Sequence, residues 1–351
     1  MNGIKVSVLP SIPFSLMYGG GETQALKTIA ALQELGVDIS FLHWEDEHAK
    51  YDLLHVFGAK YWHAPIIELA KGRGIPVALS TISYTPPSLQ LSVRSALRTL
   101  FTETLPIPTT HMLCRRAMAQ ADVLLPNSQA ESDFLVRHFG VNSSKIRVVP
   151  NAVDQLFGQC SPAAFREKFN ITGDFVLCVG KIEPRKNQLH LVESFSRWNR
   201  KLIIIGDAID NRRDYFEKVM SVVKKSPNIR HISRLPHESG LLASAYSAAK
   251  VHVLLGVNET PGLVSLEAGL AGASLAVLEC PPVREYFAGY ATYIQDLSLE
   301  SIRRGVDSAW NSVRDKGELK KHILANYTWR RAAEITLNAY RGVATLQKYN
   351  E

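Results

Sequence analysis

Nothing in this chain approaches the roughly 20 consecutive apolar residues that a membrane-crossing helix needs, so the sequence marks no membrane span. Its four cysteines, Cys114, Cys160, Cys178 and Cys280, are scattered, with neither a Cys-x-x-Cys pair nor a metal-ligand spacing. That pattern argues against a disulfide scaffold or a thiolate metal centre, and buried reduced thiols are the expectation. No Asp-x-Asp pair is present to hold a divalent cation. The glycine fingerprint of dinucleotide binding is also incomplete. Gly19-Gly20-Gly21-Glu22 stops short of Gly-x-Gly-x-x-Gly, and Glu45 is a weak stand-in for the acidic partner, which disfavours a nicotinamide oxidoreductase. There is no repeat and no low-complexity tract. Met1-Asn-Gly-Ile-Lys-Val-Ser-Val-Leu runs straight into a strand pattern without a signal-peptide layout, so a cytoplasmic location is expected.

What is present is the composition of a globular protein, 46% hydrophobic and 21% charged over 351 residues, long enough for two domains. Residues 1–157 carry 13 basic and 13 acidic side chains, so the whole net charge of +7 lies in the remainder. An anionic small ligand, a nucleic acid or a membrane surface each fits that surplus. Both halves alternate short apolar runs with helical patterns, the mark of parallel α/β domains. Strands are expected at 4–9, 37–42, 52–57, 75–81, 122–126 and 146–149, with helices at 21–35, 60–72, 89–101, 110–120 and 128–139. The last of these opens with the capping box Ser128-x-x-Glu131. In the second half strands are expected at 175–179, 202–206, 229–232, 251–255, 274–278 and 291–294. Helices fit at 187–197, 212–225, 239–248, 262–271 and 299–313, and a final amphipathic helix begins near Tyr327. Pro150, Gly158, Pro162 and Gly173 place the boundary within 151–173, where Ser161 and Pro162 open a short helix.

The most informative segment follows the apolar run Val251-His252-Val253-Leu254-Leu255. Glu259 and Glu267 bracket Thr260-Pro261-Gly262-Leu263-Val264-Ser265-Leu266, and Ala268-Gly269-Leu270-Ala271 continues as helix. Gly262 then stands at the helix start, where unpaired N–H groups and the macrodipole favour an anion. Glu267 lies about 7.5 Å farther along at 1.5 Å per residue. A phosphorylated ligand at the helix tip has a carboxylate on each side, ready to accept hydrogen bonds from sugar or ribose hydroxyls. This arrangement suits a nucleoside diphosphate sugar.

Glu-x7-Glu after a strand resembles the donor-site motif of the family-4 retaining glycosyltransferases of the GT-B fold. Asp122-Val-Leu-Leu-Pro-Asn-Ser128, Lys145-Ile-Arg-Val-Val-Pro-Asn-Ala-Val-Asp154 and Phe175-Val-Leu-Cys-Val-Gly-Lys-Ile-Glu-Pro-Arg-Lys-Asn187 resemble further segments of that family, in its order. The resemblance covers nearly the whole chain. It implies an α/β GT-B architecture, two Rossmann-like parallel-sheet domains facing an interdomain cleft. An N-terminal acceptor domain, 1–157, would be joined by the C-terminal helix 328–351, and a nucleotide-sugar donor domain would span 172–327. The implied activity is retaining, metal-independent transfer of a hexose to a saccharide or lipid-linked acceptor, with no cofactor and no nucleic-acid partner.

Residue by residue, the resemblance gives Glu259 the sugar-ring hydroxyls and Glu267 the ribose, whereas composition alone makes them a loop acid and a polar helix residue. Gly262, Leu263 and Val264 would offer backbone N–H groups to the diphosphate, Arg185 and Lys186 would neutralise it as it leaves, and Gly20 and Gly21 would lie near the phosphates. Pro261 stands where the family often has phenylalanine. Lys181 stands where many members carry arginine, keeping the charge without the bidentate fork. Ser83, in Ser80-Thr81-Ile82-Ser83, takes the place of a histidine near the reacting sugar. His55, at the end of the third strand, is the other acceptor-side candidate, with a packed core histidine as the alternative. Turn and cap roles suffice for Ser128, Asn151 and Asp154. The Ser83 and Lys181 departures keep a catalytically silent nucleotide-sugar-binding subunit as the second hypothesis. Residues 86–118 hold Arg94, Arg98, Arg115 and Arg116 against the single acid Glu103. They fit either helices packed on the sheet or a peripheral contact with an anionic membrane. Oligomeric state is open.

Overall fold

The structure, a computed structural model, describes residues 4–13, 19–46, 48–85, 109–209, 212–260, 262–312 and 316–348. The expected helix at 89–101, with Arg94 and Arg98, lies outside them, as do Glu103 and Pro261. Two compact units are present, Met1–Asn151 with Trp329–Glu351, and Ala152–Thr328.

In the first unit, β1 (Lys5–Leu9), β2 (Asp38–Phe41), β3 (Leu53–Phe57), β4 (Val77–Ser80) and β5 (Val123–Leu124) form a parallel sheet in the order β2-β1-β3-β4-β5. The sheet's connections include α1 (Gly20–Glu34), α2 (Ala64–Gly72) and α3 (Thr110–Gln120), and α4 (Gln129–Phe139) follows β5. One face of the sheet, with Leu54, Val56, Leu79 and Leu124, packs on Ile67 of α2, Met118 of α3 and Leu135 of α4. The terminal helix Trp329–Lys348 packs against α1. The expected strand at 146–149 is a correction. Arg147 and Val149 donate to the carbonyls of Leu124 and Pro126, but only a single bridge, Leu124 to Ile146, forms. Pro126 has no N–H to return, so the ladder cannot extend.

The second unit opens with α5 (Ala163–Phe169). Its sheet is β6 (Val176–Val179), β7 (Leu202–Ile205), β8 (Ile229–Ile232), β9 (Val251–Leu254), β10 (Ser274–Leu278) and β11 (Thr292–Ile294), all parallel, in the order β11-β10-β9-β6-β7-β8. Between and after them come α6 (Gln188–Ser196), α7 (Arg213–Val223), α8 (Leu241–Ala248), α9 (Leu263–Ala271), α10 (Pro281–Phe287), α11 (Leu299–Trp310) and α12 (Lys316–Asn326). Helices cover both faces, so the central strands are continuous apolar runs, as in Leu202-Ile-Ile-Ile205. Alternate residues feed two cores. Leu177, Val179, Ile203, Ile205 and Val277 face Tyr246, Leu266, Leu270 and Tyr286. Val176, Cys178, Leu202, Ile204 and Val253 face Val192, Phe195, Val219 and Ile302. Gly180 and Gly206, both at positive φ, let the chains leaving β6 and β7 approach closely, and a Cβ on Gly206 would overlap the Gly180 carbonyl.

Candidate functional site

In the second sheet the order of connection reverses between β6 and β9. An open parallel sheet binds ligands just beyond the carboxyl ends of such a pair of strands, because the two outgoing loops part there. After β6 comes the single 3-10 turn Pro184–Lys186, closed by Asn187 in a left-handed conformation, φ 54°. Val257 N–H donates to the Arg185 carbonyl at 2.9 Å, and Asn187 Nδ2 donates to the Leu255 carbonyl at 2.7 Å. Gln188 ties the same loop by donating to the Lys181 carbonyl and accepting from Glu183 N–H. The loops after β6 and β9 are thus knitted together, and both basic residues of the first reach the acid of the second.

Glu259 Oε1 accepts from Lys186 Nζ at 2.7 Å and from Arg185 Nη1 at 2.9 Å, while Arg185 Nη2 also reaches Glu183 Oε1 at 3.0 Å. Glu259 is buried, Lys186 nearly so, and Arg185 is open to solvent. Burial pushes the Glu259 carboxyl up, but the charges of Lys186 and Arg185 and their hydrogen bonds outweigh it and hold the carboxyl below its ordinary range. Burial likewise works against the Arg185 charge, and the Glu259 and Glu183 carboxylates reverse that effect. Two glycines shape the bed of this carboxylate. A Cβ on Gly256 would overlap Oε1, and one on Gly262 would lie 2.9 Å from Oε2. Gly262 is the N-cap of α9, so the carboxylate lies against that helix start. Ser265 N–H returns to the Gly262 carbonyl, and the glycine at the N-cap brings no side chain to the first turn of Leu263 and Val264.

Glu267 lies on α9, buried at 4% exposure. Its Oε1 meets His237 Nε2 at 2.8 Å, while its Oε2 is buried with no hydrogen-bond partner. The buried Tyr246 hydroxyl lies beside this carboxylate. Burial first, then the Glu267 charge, pushes the Tyr246 phenol well above its ordinary range. A buried carboxylate oxygen left unmatched is costly to the fold and is the kind of group that a ligand hydroxyl satisfies. His237 was not foreseen from the sequence. It is 30 residues from Glu267, and its only signal is a histidine in the loop that leaves the carboxyl end of β8. Lys181 is half-buried and joins none of the ion pairs around Glu259, so the structure does not bring it into the cluster.

In the first unit Gly20 and Gly21 are the opening residues of α1, whose N-cap Gly19 has no side-chain cap bond. Among the described residues, a Cβ on either would meet nothing within 4 Å. His55 is a correction. It lies in the middle of β3, fully buried, with Nδ1 2.6 Å from the Tyr340 hydroxyl and Nε2 2.9 Å from Ser80 Oγ. Burial lowers it to about 3, so it is a neutral core residue with both nitrogens spent and no edge for an acceptor. Ser83 is half-exposed and donates its backbone N–H to Glu131 Oε1 at 2.7 Å. The same oxygen accepts from Thr81 Oγ1, and Oε2 accepts from Asn127 N–H at 2.8 Å. The capping box is therefore half formed. Ser128 Oγ caps Glu131 N–H, but the glutamate reaches past the cap to Asn127 and to the Ser83 loop. Ile82, between Thr81 and Ser83, sits at φ 44°, strained for a β-branched residue.

Two family models match this sequence in succession, Glycosyltransferase Family 4 over residues 40–155 and Glycosyl transferases group 1 over residues 163–316. The chain belongs to glycosyltransferase family 4. Relatives of this chain include the D-inositol 3-phosphate glycosyltransferase of Saccharomonospora viridis, 26% identical over 84% of this chain and 71% of that protein. Another is the serotype-specific mannosyltransferase WbdA of Escherichia coli, 22% identical over 63% of this chain. The match spans only 29% of the mannosyltransferase's own length. In fold the chain is similar to Anabaena HepE, crystallised with UDP and glucose, with a TM-score of 0.74 at 13% identity, covering 96% of this chain and 99% of that one. It is also similar to the sucrose-phosphate synthase of Thermosynechococcus elongatus, with a TM-score of 0.75 at 17% identity, covering 97% and 100% of the two chains. Both structures carry the GT-B fold, and their two Rossmann-like parallel-sheet domains match the two sheets described above. Among the described residues, no helix is long and apolar enough to cross a membrane.

Proposed function

We propose that this glycosyltransferase moves a hexose from a nucleoside diphosphate sugar to a saccharide or glycoconjugate acceptor, with retention at the anomeric carbon and without a metal. The observation that carries the reading is the buried Glu259 carboxylate, joined to Arg185 and Lys186 against the start of α9 where the sheet order reverses. Two cations and a helix start supply the positive field that a departing diphosphate needs, which is the work a divalent cation does elsewhere. Glu259 would accept hydroxyls of the sugar ring, and Glu267, its second oxygen unmatched, would accept those of the ribose.

In the step itself the bond from the anomeric carbon to the phosphate oxygen breaks, and the bond to the acceptor oxygen forms on the same face. The acceptor's proton passes to the leaving phosphate oxygen. Double displacement would need a carboxylate nucleophile at the reacting carbon. Glu259, committed to the hydroxyls of the sugar ring, is poorly placed for that task, which favours the same-face route. For the 86–118 segment, which lies mostly outside the described residues, helices packed on the sheet are favoured over a peripheral membrane contact toward a lipid-linked acceptor. Of its four arginines, Arg115 and Arg116 lie on α3, where Arg116 pairs with Glu68 at 2.5 Å.

Incubation with a panel of nucleotide sugars and candidate acceptors, with and without a chelator, tests this. The expected result is chelator-insensitive release of nucleoside diphosphate with α-configured product from an α-configured donor, abolished in Glu259→Gln. Donor binding without turnover on any acceptor would make the chain a donor-binding subunit instead. An inverted product would refute retention.

A further inference from the structure

Around Glu259 the chain assembles what a phosphate group seeks, a helix start with glycine at its N-cap, a guanidinium and an ammonium. The anions these groups hold in this structure are the chain's own carboxylates, Glu259 on both cations and Glu183 on Arg185 as well. Lys186 and Arg185 converge on a single oxygen, Glu259 Oε1, and the glycines at 256 and 262 open the space in which it lies. Under the reading above, the same two cations serve the donor diphosphate. One set of cations cannot give its best geometry to both Glu259 and the diphosphate at once. Whichever phosphate arrives must therefore take Lys186 and Arg185 from Glu259 and leave a buried carboxylate short of partners, which is expensive.

We propose that Glu259 is a resident competitor for the diphosphate position, and that it makes the site prefer the sugar-bearing donor over its spent nucleoside diphosphate. The inference rests on the donor-site reading and adds to it a mechanism of discrimination. A nucleotide sugar compensates the displaced carboxylate, because its ring hydroxyls donate to Glu259 in exchange for the cations. A nucleoside diphosphate brings no such hydroxyls. It takes the cations and strands the acid. Once the glycosyl bond has broken and the sugar has left, Glu259 recovers Lys186 and Arg185, and this return helps expel the product. The carboxylate that orients the sugar is thus also the group that clears the site.

Isothermal titration of UDP, GDP and ADP, and of the matching nucleotide sugars, tests the inference on wild type, Glu259→Gln, Gly256→Ala and Lys186→Gln. Glu259→Gln keeps the shape and removes the competing charge. Gly256→Ala displaces the carboxylate with a methyl group and alters no charge, so it guards against a special defect of the glutamine variant. We expect the nucleoside diphosphate that binds wild type to bind both variants about tenfold more tightly, the gain that follows when a state paired about nine-tenths of the time is released. The preference for nucleotide sugar over nucleoside diphosphate should shrink in parallel, and Lys186→Gln should weaken both ligands. Equal or weaker nucleoside diphosphate binding in both variants, with the Lys186 dependence intact, overturns the competitor role and leaves the donor-site reading standing. Absence of nucleoside diphosphate binding in wild type and variants alike overturns both.

Discussion

Lys186 Nζ and Glu259 Oε1 lie 2.7 Å apart across a sequence separation of 73 residues, joining the loops that leave two adjacent parallel strands. That pair gives the second sheet a charged centre at its point of reversal. Removing the cation should affect both chemistry and folding. Lys186→Gln is expected to lower kcat by roughly 10²–10³, the loss typical when one fixed donor to a developing negative charge is deleted. Its melting temperature should fall as well, because the buried Glu259 keeps only Arg185, while the native transition stays cooperative. Steady-state rates beside a thermal melt check this, and an unchanged kcat would remove Lys186 from the leaving-group role.

The His55–Tyr340 pair should affect folding alone. Tyr340→Phe leaves His55 Nδ1 buried without its partner and is expected to cost about 1–3 kcal/mol of stability. The effect should appear as a lower denaturant midpoint, with nucleotide-sugar affinity unchanged. Loss of affinity at full stability would return His55 to the site.

Acid should destabilise both units. Burial holds His55 and His252 neutral down to about 3, against an ordinary 6.5. Between those values the unfolded chain binds protons that the folded chain does not, so stability is full above about 6.5 and is lost as the pH falls toward 3. Each histidine contributes a slope of about 1.4 kcal/mol per pH unit within that window. Denaturant midpoints measured from about pH 7 down to about pH 4.5 should fall steadily, and a flat profile would contradict the burial of both rings.

Thiol reactivity should follow burial. Burial raises Cys178 to about 12 and Cys280 to about 11, and thiolate is the reactive form. An alkylating reagent near neutral pH should therefore modify Cys160 in the native protein and reach Cys178 and Cys280 only on unfolding, as peptide mass mapping would show. Native labelling of Cys178 would mean that the second sheet opens.

Strand and helix periods were largely legible in the sequence because apolar runs such as Leu202–Ile205 and Val251–Leu254 are dictated by burial on both faces. The expected strand at 146–149 failed for a reason also written locally, since Pro126 cannot donate to it. Glu259, Arg185 and Lys186 were legible as separate motifs, and their convergence became visible only once β6 and β9 were paired. His237 was not legible, because its partner Glu267 lies on another element and nothing in the spacing announces the contact. His55 looked like a candidate because it comes late in the third strand, although such a histidine is more often packed than catalytic. The burial that makes it a core residue comes from the terminal helix, far along the chain. Glu131 carried a capping signal that concealed its reach to Ser83.

On the proposed function, the loops after β6 and β9, with α9, bind a nucleoside diphosphate sugar through Lys186, Arg185, Glu259 and Glu267. A thermal-shift screen of wild type, Lys186→Gln and Glu267→Gln against a panel of nucleotide sugars tests it most directly. Any ligand present at 100 times its dissociation constant stabilises the native state by about 2.7 kcal/mol. One nucleotide sugar should raise the wild-type melting temperature by several degrees, with most of that shift lost in both variants. No shift from any nucleotide sugar, or the full shift surviving in both variants, would contradict the account.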